Sequence, residues 1–125
     1  MIPPLRIAIA DDEADIRQYF RRLLPRLGYR LVGEAQNGLE LVKLCLSEKP
    51  DLVITDVMMP EMSGIEAAVE INKTQNVPVI ILSSHERPSC EDEGQTETTG
   101  IIDYLQKPVS LSDLKAAILR ACPAA

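Results

Sequence analysis

The stretch Asp51-Leu52-Val53-Ile54-Thr55-Asp56-Val57-Met58-Met59-Pro60 carries an apolar, β-branched run to an aspartate and stops in a proline-marked loop. A short run without polar alternation reads as a strand buried on both faces, the situation inside a parallel sheet. Parallel strands need crossover connections, so helices should separate the strands of such a chain. In open α/β sheets, ligands and chemistry gather at the carboxyl ends of the strands. Asp56 falls at such an end, where a reactive carboxylate is useful.

The flanking sequence supplies the rest of that architecture. Leu5 to Ala10 reads as a first strand, ending in Asp11, Asp12 and Glu13. Ile16, Tyr19, Phe20, Leu23, Leu24 and Leu27 recur at helical spacing, with Pro25 in the last turn and Gly28 as the stop. Tyr29 to Ala35 is a second strand, followed by an Asn37-Gly38 turn and a helix through Leu39, Leu41, Val42, Leu44, Cys45 and Leu46. Ser63 caps a third helix through Ile65, Ala68, Val69 and Ile71, with Asn76 near its end. Val77 to Leu82 and Ile101 to Leu105 are the fourth and fifth strands, and Ser110-Leu111-Ser112-Asp113 opens a last helix through Leu114, Ala117, Ile118 and Ala121. Strands alternating with helices predict an α/β fold, a doubly wound parallel sheet of five strands with helices on both faces. The 125 residues are read as one domain, 1–125, without repeat or linker.

One segment breaks the alternation. Between Ser84 and Gly100, apart from Pro88, the only apolar side chain is Cys90, amid Glu86, Glu91, Asp92, Glu93 and Glu97. A crossover helix belongs here, yet no apolar stripe is present to hold it against the sheet. The expectation is an irregular or shortened fourth crossover helix.

Charge and cysteine usage bound the function classes. A net charge of -6 offers no electrostatic footprint for nucleic acid or an anionic membrane and suits a divalent cation or a basic partner. Cys45, Cys90 and Cys122 form no Cys-x-x-Cys pair, so reduced thiols in a cytoplasmic protein are expected rather than disulfides or zinc. No apolar run reaches the length of a membrane span.

Asp11 and Asp12 end strand one, Asp56 strand three, Ser83 strand four and Lys107 strand five. In a doubly wound sheet these ends share one edge, so three carboxylates, a hydroxyl and an amine converge. Two like charges about 4 Å apart cost on the order of 4 kcal/mol at an effective dielectric near 20. A hard divalent cation and one lysine are the natural compensation, and magnesium suits a site with few carboxylates and retained waters.

Asp11-Asp12, Asp56 with its Val57-Met58-Met59-Pro60-Glu61-Met62-Ser63-Gly64 tail, Ser83, Tyr104 and Lys107-Pro108 together resemble the receiver domain of bacterial two-component response regulators, of the chemotaxis-regulator-like kind. The resemblance runs over essentially the whole chain. It implies a flavodoxin-like fold with strand order 2-1-3-4-5, and a phosphorylation-dependent signalling switch rather than an enzyme turning over external substrate. Asp56 would be the phosphoacceptor; Asp11, Asp12, Asp56 and the main-chain carbonyl of Met58 would hold Mg2+. Lys107, with a cis Lys107-Pro108 peptide, would neutralise phosphoryl oxygens, and Ser83 with Tyr104 would transmit the change. The implied partners are a sensor histidine kinase or histidine phosphotransfer protein upstream, and an effector protein or fused output domain downstream, with no nucleic acid or membrane bound by the domain itself.

Plainer readings exist for each residue. Asp11 and Asp12 could cap the first helix, Tyr104 could be an ordinary half-buried strand aromatic, and Met58, Met59 and Met62 are read as loop-to-helix packing. His85, two residues past Ser83, is read either as an exposed loop side chain or as a residue governing access of water to the site. Two rival functions remain: a phosphorylation-independent receiver-like docking module, and a small magnesium phosphohydrolase, for which only His85 offers a general acid or base.

Overall fold

The computed structural model describes residues 4–84 and 100–122. Five parallel strands, β1 (Arg6–Ala10), β2 (Arg30–Ala35), β3 (Leu52–Asp56), β4 (Val79–Ser83) and β5 (Ile101–Gln106), form one sheet in the order β2-β1-β3-β4-β5. Four helices lie among the described residues: α1 (Ala14–Arg26), α2 (Gly38–Glu48), α3 (Gly64–Ile71) and α4 (Leu111–Ala121). The doubly wound parallel sheet expected from the strand pattern is formed, in the flavodoxin-like strand order that the resemblance implies. The shortened helix expected between β4 and β5 falls on residues 85–99, outside the described residues, as do His85 and Cys90.

Side-chain alternation along each strand divides the core between the two sheet faces. Ile7, Ile9, Leu52, Ile54, Ile80 and Leu82 pack with Phe20 and Leu24 of α1 and with Leu114, Ala117 and Ile118 of α4. The intervening Ala8, Ala10, Val53, Val79 and Ile81 pack with Leu41 and Cys45 of α2 and with Ala67, Ala68 and Ile71 of α3. Both faces are covered, so β3 and β4 are buried at every position and their sequences show no polar alternation. Each fully buried Ile or Leu stabilises the fold by about 1.5–3 kcal/mol over an exposed one. The outer strands β2 and β5 are mostly half-buried.

Helix ends follow local chemistry, with two departures from expectation. Gly28 closes α1 in the left-handed region, φ 89°, and its N–H reaches the Pro25 carbonyl at 3.0 Å. Asn37-Gly38 is not a free turn: Asn37 is the N-cap of α2, its side-chain oxygen accepting from the Glu40 N–H at 2.8 Å, and Gly38 is already helical. Helix α3 stops at Ile71, well before Asn76, because the Asn72 side chain takes over the hydrogen bonding. Its amide donates to the carbonyls of Ala68 and Val77, and its oxygen accepts from the Val77 N–H. At the other end of α3, Ser63 and Glu66 form a complete capping box.

Candidate functional site

Parallel register carries the strand ends to one edge. Ala10 lies beside Thr55, Asp56 beside Leu82, and Ser83 beside Gln106. Asp11 and Asp12 therefore follow β1 directly next to the end of β3, and Lys107 follows β5 on the far side of β4. Carboxylate oxygens of Asp11, Asp12 and Asp56 lie within 4.8 Å of one another. The Lys107 amine stands among them, 2.9 Å from Asp11 Oδ2, 3.5 Å from Asp56 Oδ1 and 3.9 Å from Glu13 Oε1. Its main-chain N–H donates to the Ser83 carbonyl at 2.7 Å, and the Lys107–Pro108 peptide is cis.

The site is acidic and largely withdrawn from water. Asp11 is 2% exposed and Asp56 7%, whereas Asp12 faces solvent. Burial raises the Asp56 carboxyl from its ordinary value; Lys107 opposes that shift, Asp11 adds to it, and the Val57 N–H at 2.9 Å from Oδ1 opposes it. Burial pulls the Lys107 amine down, but its hydrogen bond to Asp11 and the charges of Asp11 and Asp56 outweigh this, so its pKa is raised and it stays protonated. One lysine among Asp11, Asp12, Asp56 and Glu13 leaves an excess of negative charge. Hard oxygen donors, one of them open to solvent, fit a magnesium ion that keeps part of its water shell.

The loop after β3 is held by close backbone approach. Gly64 N–H donates to the Val57 carbonyl at 2.9 Å, and a Cβ on Gly64 would collide with the Asp56 carbonyl oxygen. Gly38 N–H donates to the Met62 carbonyl at 2.9 Å, where a Cβ would likewise collide. The buried Thr55 hydroxyl donates to the Asp56 carbonyl at 2.9 Å. Met58 projects outward, 67% exposed, while Met59 and Met62 pack against the α2–α3 core as expected.

Ser83 ends β4 buried at the same edge. Tyr104 pairs with Ile81 and is half-buried against the core face covered by α2 and α3. Asp11 and Asp12 do not cap α1: the N-cap is Glu13, which makes no side-chain cap bond, and Asp11 Oδ1 accepts from the Glu13 N–H at 2.9 Å. Two contributors escape a sequence reading. Glu13 approaches Lys107, and Arg17 donates from Nη1 to the Asp11 carbonyl at 2.8 Å. The available signal is spacing, since Glu13 and Arg17 lie one helical turn apart at the start of α1.

Comparison with known proteins agrees with this fold. A family model described as the response regulator receiver domain matches residues 7–119. Transcriptional regulatory protein PdtaR of Mycobacterium tuberculosis is 43% identical over 115 residues, covering 92% of this chain and 55% of PdtaR. The chain spans about half the length of the curated relatives it matches. Among solved structures, the receiver domain of the Francisella response regulator 1452 has a TM-score of 0.80 at 30% identity, covering 94% of this chain and 95% of that one. The signal receiver domain of NarL from Mycobacterium tuberculosis shares the fold, with a TM-score of 0.85 at 23% identity over 99% of this chain and 100% of that one.

Proposed function

The chain belongs to the response regulator receiver family, and on that premise we propose that Asp56 is the phosphoacceptor of its signalling switch. The observation that carries this reading is the placement of the buried Asp56 carboxylate 3.5 Å from the Lys107 amine and within 4.8 Å of Asp11 and Asp12.

A carboxylate oxygen of Asp56 attacks the phosphorus of a phosphohistidine on a partner histidine kinase or phosphotransfer protein. The O–P bond forms, the P–N bond breaks, and its electron pair returns to the imidazole, which takes a proton from solvent. Lys107, already beside Asp56 Oδ1, pairs with the arriving phosphoryl oxygens. Asp11, Asp12, Asp56 and the main-chain carbonyl of Met58 would hold a magnesium ion, which when bound supplies charge neutralisation at the transferring group. Hydrolysis of the resulting acyl phosphate by water resets Asp56, so no external substrate is turned over.

Transmission falls to Ser83 and Tyr104. The Ser83 hydroxyl donates to a phosphoryl oxygen, moving the loop after the fourth strand and making room for Tyr104 to turn inward. A phosphoryl group brings about two charges and three acceptor oxygens, which give it differential affinity for two loop states. Moving a minority state from 1:99 to 99:1 needs roughly 5.5 kcal/mol of such preference. Downstream, the partner is an effector protein or a fused output domain. Among the described residues no helix is long and apolar enough to cross a membrane, and a cytoplasmic location suits a kinase-fed switch.

Intact mass after incubation with magnesium and acetyl phosphate tests the reading. One phosphoryl gain is expected, dependent on magnesium and absent in Asp56→Asn. No gain in a protein that demonstrably binds magnesium would sink it in favour of a docking module.

A further inference from the structure

Asp11 and Asp12 share a peptide but are held very differently. Asp11 is fixed on every side: its N–H donates to the Ala35 carbonyl at 3.0 Å, Oδ2 accepts from Lys107 and Oδ1 from the Glu13 N–H. Among the described residues the Asp12 carboxylate has no hydrogen bond or ion pair, and it faces solvent. Its direction depends on the backbone that carries it, and the carbonyl of the Asp11–Asp12 peptide is gripped by Arg17 Nη1 at 2.8 Å.

Arg17 is itself aimed. Its Nε lies 3.6 Å from Glu34 Oε1 on β2, and its side chain is only 15% exposed. Glu34 is in turn clamped by Arg21, whose Nε and Nη2 donate to the two carboxylate oxygens at 2.6 and 2.9 Å. A guanidinium presents several donors in a rigid plane, so Arg17 can reach a carbonyl and a carboxylate together where an ammonium would serve as a point charge. Pairing with Glu34 also offsets the Arg17 charge, leaving its hold on the peptide as the larger consequence for the site.

We propose that Arg17 is a positioning residue for the acidic pair: the chain Arg21–Glu34–Arg17 locks the Asp11–Asp12 peptide so that the solvent-facing Asp12 carboxylate stays within 4.8 Å of Asp56 before any cation arrives. The proposal rests on the magnesium-dependent reading above. It acts through geometry, since a metal site tolerates misplacement of only about 0.5 Å or 10–20° in its supporting groups.

Calorimetric titration of magnesium alone into the full chain tests it, using wild type, Arg17→Met, Arg17→Lys, Glu34→Gln and Asp12→Asn. Arg17→Met is expected to weaken magnesium binding by about 10–100-fold, the range for groups that orient metal ligands from behind. Arg17→Lys restores part of the affinity, and Glu34→Gln, which keeps shape and fold, shows a smaller loss. At saturating magnesium the acetyl phosphate labelling rate of Arg17→Met returns towards wild type, which a general loosening of the fold would not allow. Unchanged affinity in Arg17→Met alongside loss in Asp12→Asn overturns the role of Arg17 while leaving the phosphoacceptor reading intact. Tighter binding also overturns it, because losing a cation near three carboxylates through charge alone favours the metal. Should Arg17→Met fail to fold, unchanged affinity in Glu34→Gln decides against the proposal. A wild type that does not bind magnesium removes both readings together.

Discussion

Replacing Asp56 by Asn should stabilise the metal-free protein, and the size of the gain follows from the site. The Lys107 amine at 3.5 Å attracts the Asp56 carboxylate by about 5 kcal/mol at an effective dielectric near 20. Asp11, within 4.8 Å, repels it by at least about 3.5 kcal/mol on the same footing. The solvent-facing Asp12 adds about 1 kcal/mol if screened as in water. Attraction and repulsion nearly cancel, so the cost of burying a carboxylate that is 7% exposed decides the sign. Asparagine keeps the shape and the acceptor for the Val57 N–H while discarding the charge. A gain of about 1–2 kcal/mol is expected, raising Tm by about 4–8 °C for a domain of this size. Thermal melts in EDTA, followed by circular dichroism, measure it, and added magnesium should narrow the gap by stabilising wild type more than the variant.

The pH dependence carries a second check on the same residue. Asp56 has a raised pKa in the folded protein, first through burial and then through Asp11, with Lys107 opposing. The folded state therefore holds this proton more tightly than the unfolded chain. Below the ordinary carboxylate range both states are protonated and the aspartate costs nothing. As pH rises through that range to the raised folded value, wild type loses stability, and the loss persists at neutral pH. The advantage of Asp56→Asn should accordingly vanish in acid and reach its plateau near neutrality. An Asn variant that melts at or below wild type at neutral pH in EDTA refutes this account and makes Lys107 the dominant influence.

Further outcomes follow from individual contacts. Gly64→Ala places a methyl against the Asp56 carbonyl and should cost about 1–3 kcal/mol in urea unfolding, with slower labelling by acetyl phosphate as the loop shifts. Asn72→Ala leaves the N–H and carbonyl of Val77 without their side-chain partners and should lower stability by about 2–3 kcal/mol, read as a fall in the urea midpoint at constant slope. Cys45 is fully buried and its thiol is pushed up to about 12 by burial, so iodoacetamide at mildly alkaline pH should alkylate the half-buried Cys122 well before Cys45. Peptide mass mapping separates the two, and rapid labelling of Cys45 in the folded protein would contradict its packing.

Much of the fold is legible because apolar pattern and sheet topology are local or repetitive signals. Leu52 to Ile54 and Val79 to Leu82 are buried at every position, and their unbroken apolar runs say so. Polar residues are harder to read. Asn37-Gly38 has the composition of a turn, but the same asparagine can cap a helix, and only packing of the following residues decides between them. Between Asn72 and Asn76 there is no glycine or proline, so nothing in the pattern marks the end of α3. The stop comes from an Asn72 side chain that reaches forward to Val77.

The site divides along the same line. With β1 between β2 and β3, and Ala10 registered on Thr55, Asp11 and Asp56 must be neighbours whatever their loops contain. That adjacency follows from strand order alone, which is why two acidic strand ends far apart in sequence could be read as one cluster. Lys107 starts two strands away from β3, about 10 Å at ordinary strand spacing, and its long flexible stem brings the amine to both carboxylates. Arg17 has no such topological necessity. On the sequence it is one polar residue of an amphipathic helix, and its grip on the Asp11 carbonyl depends on how α1 seats on the sheet through Phe20 and Leu24, which lie three and seven residues on along the same stripe. A core substitution in α1 should therefore reach the acidic pair through Arg17, without touching a charged group.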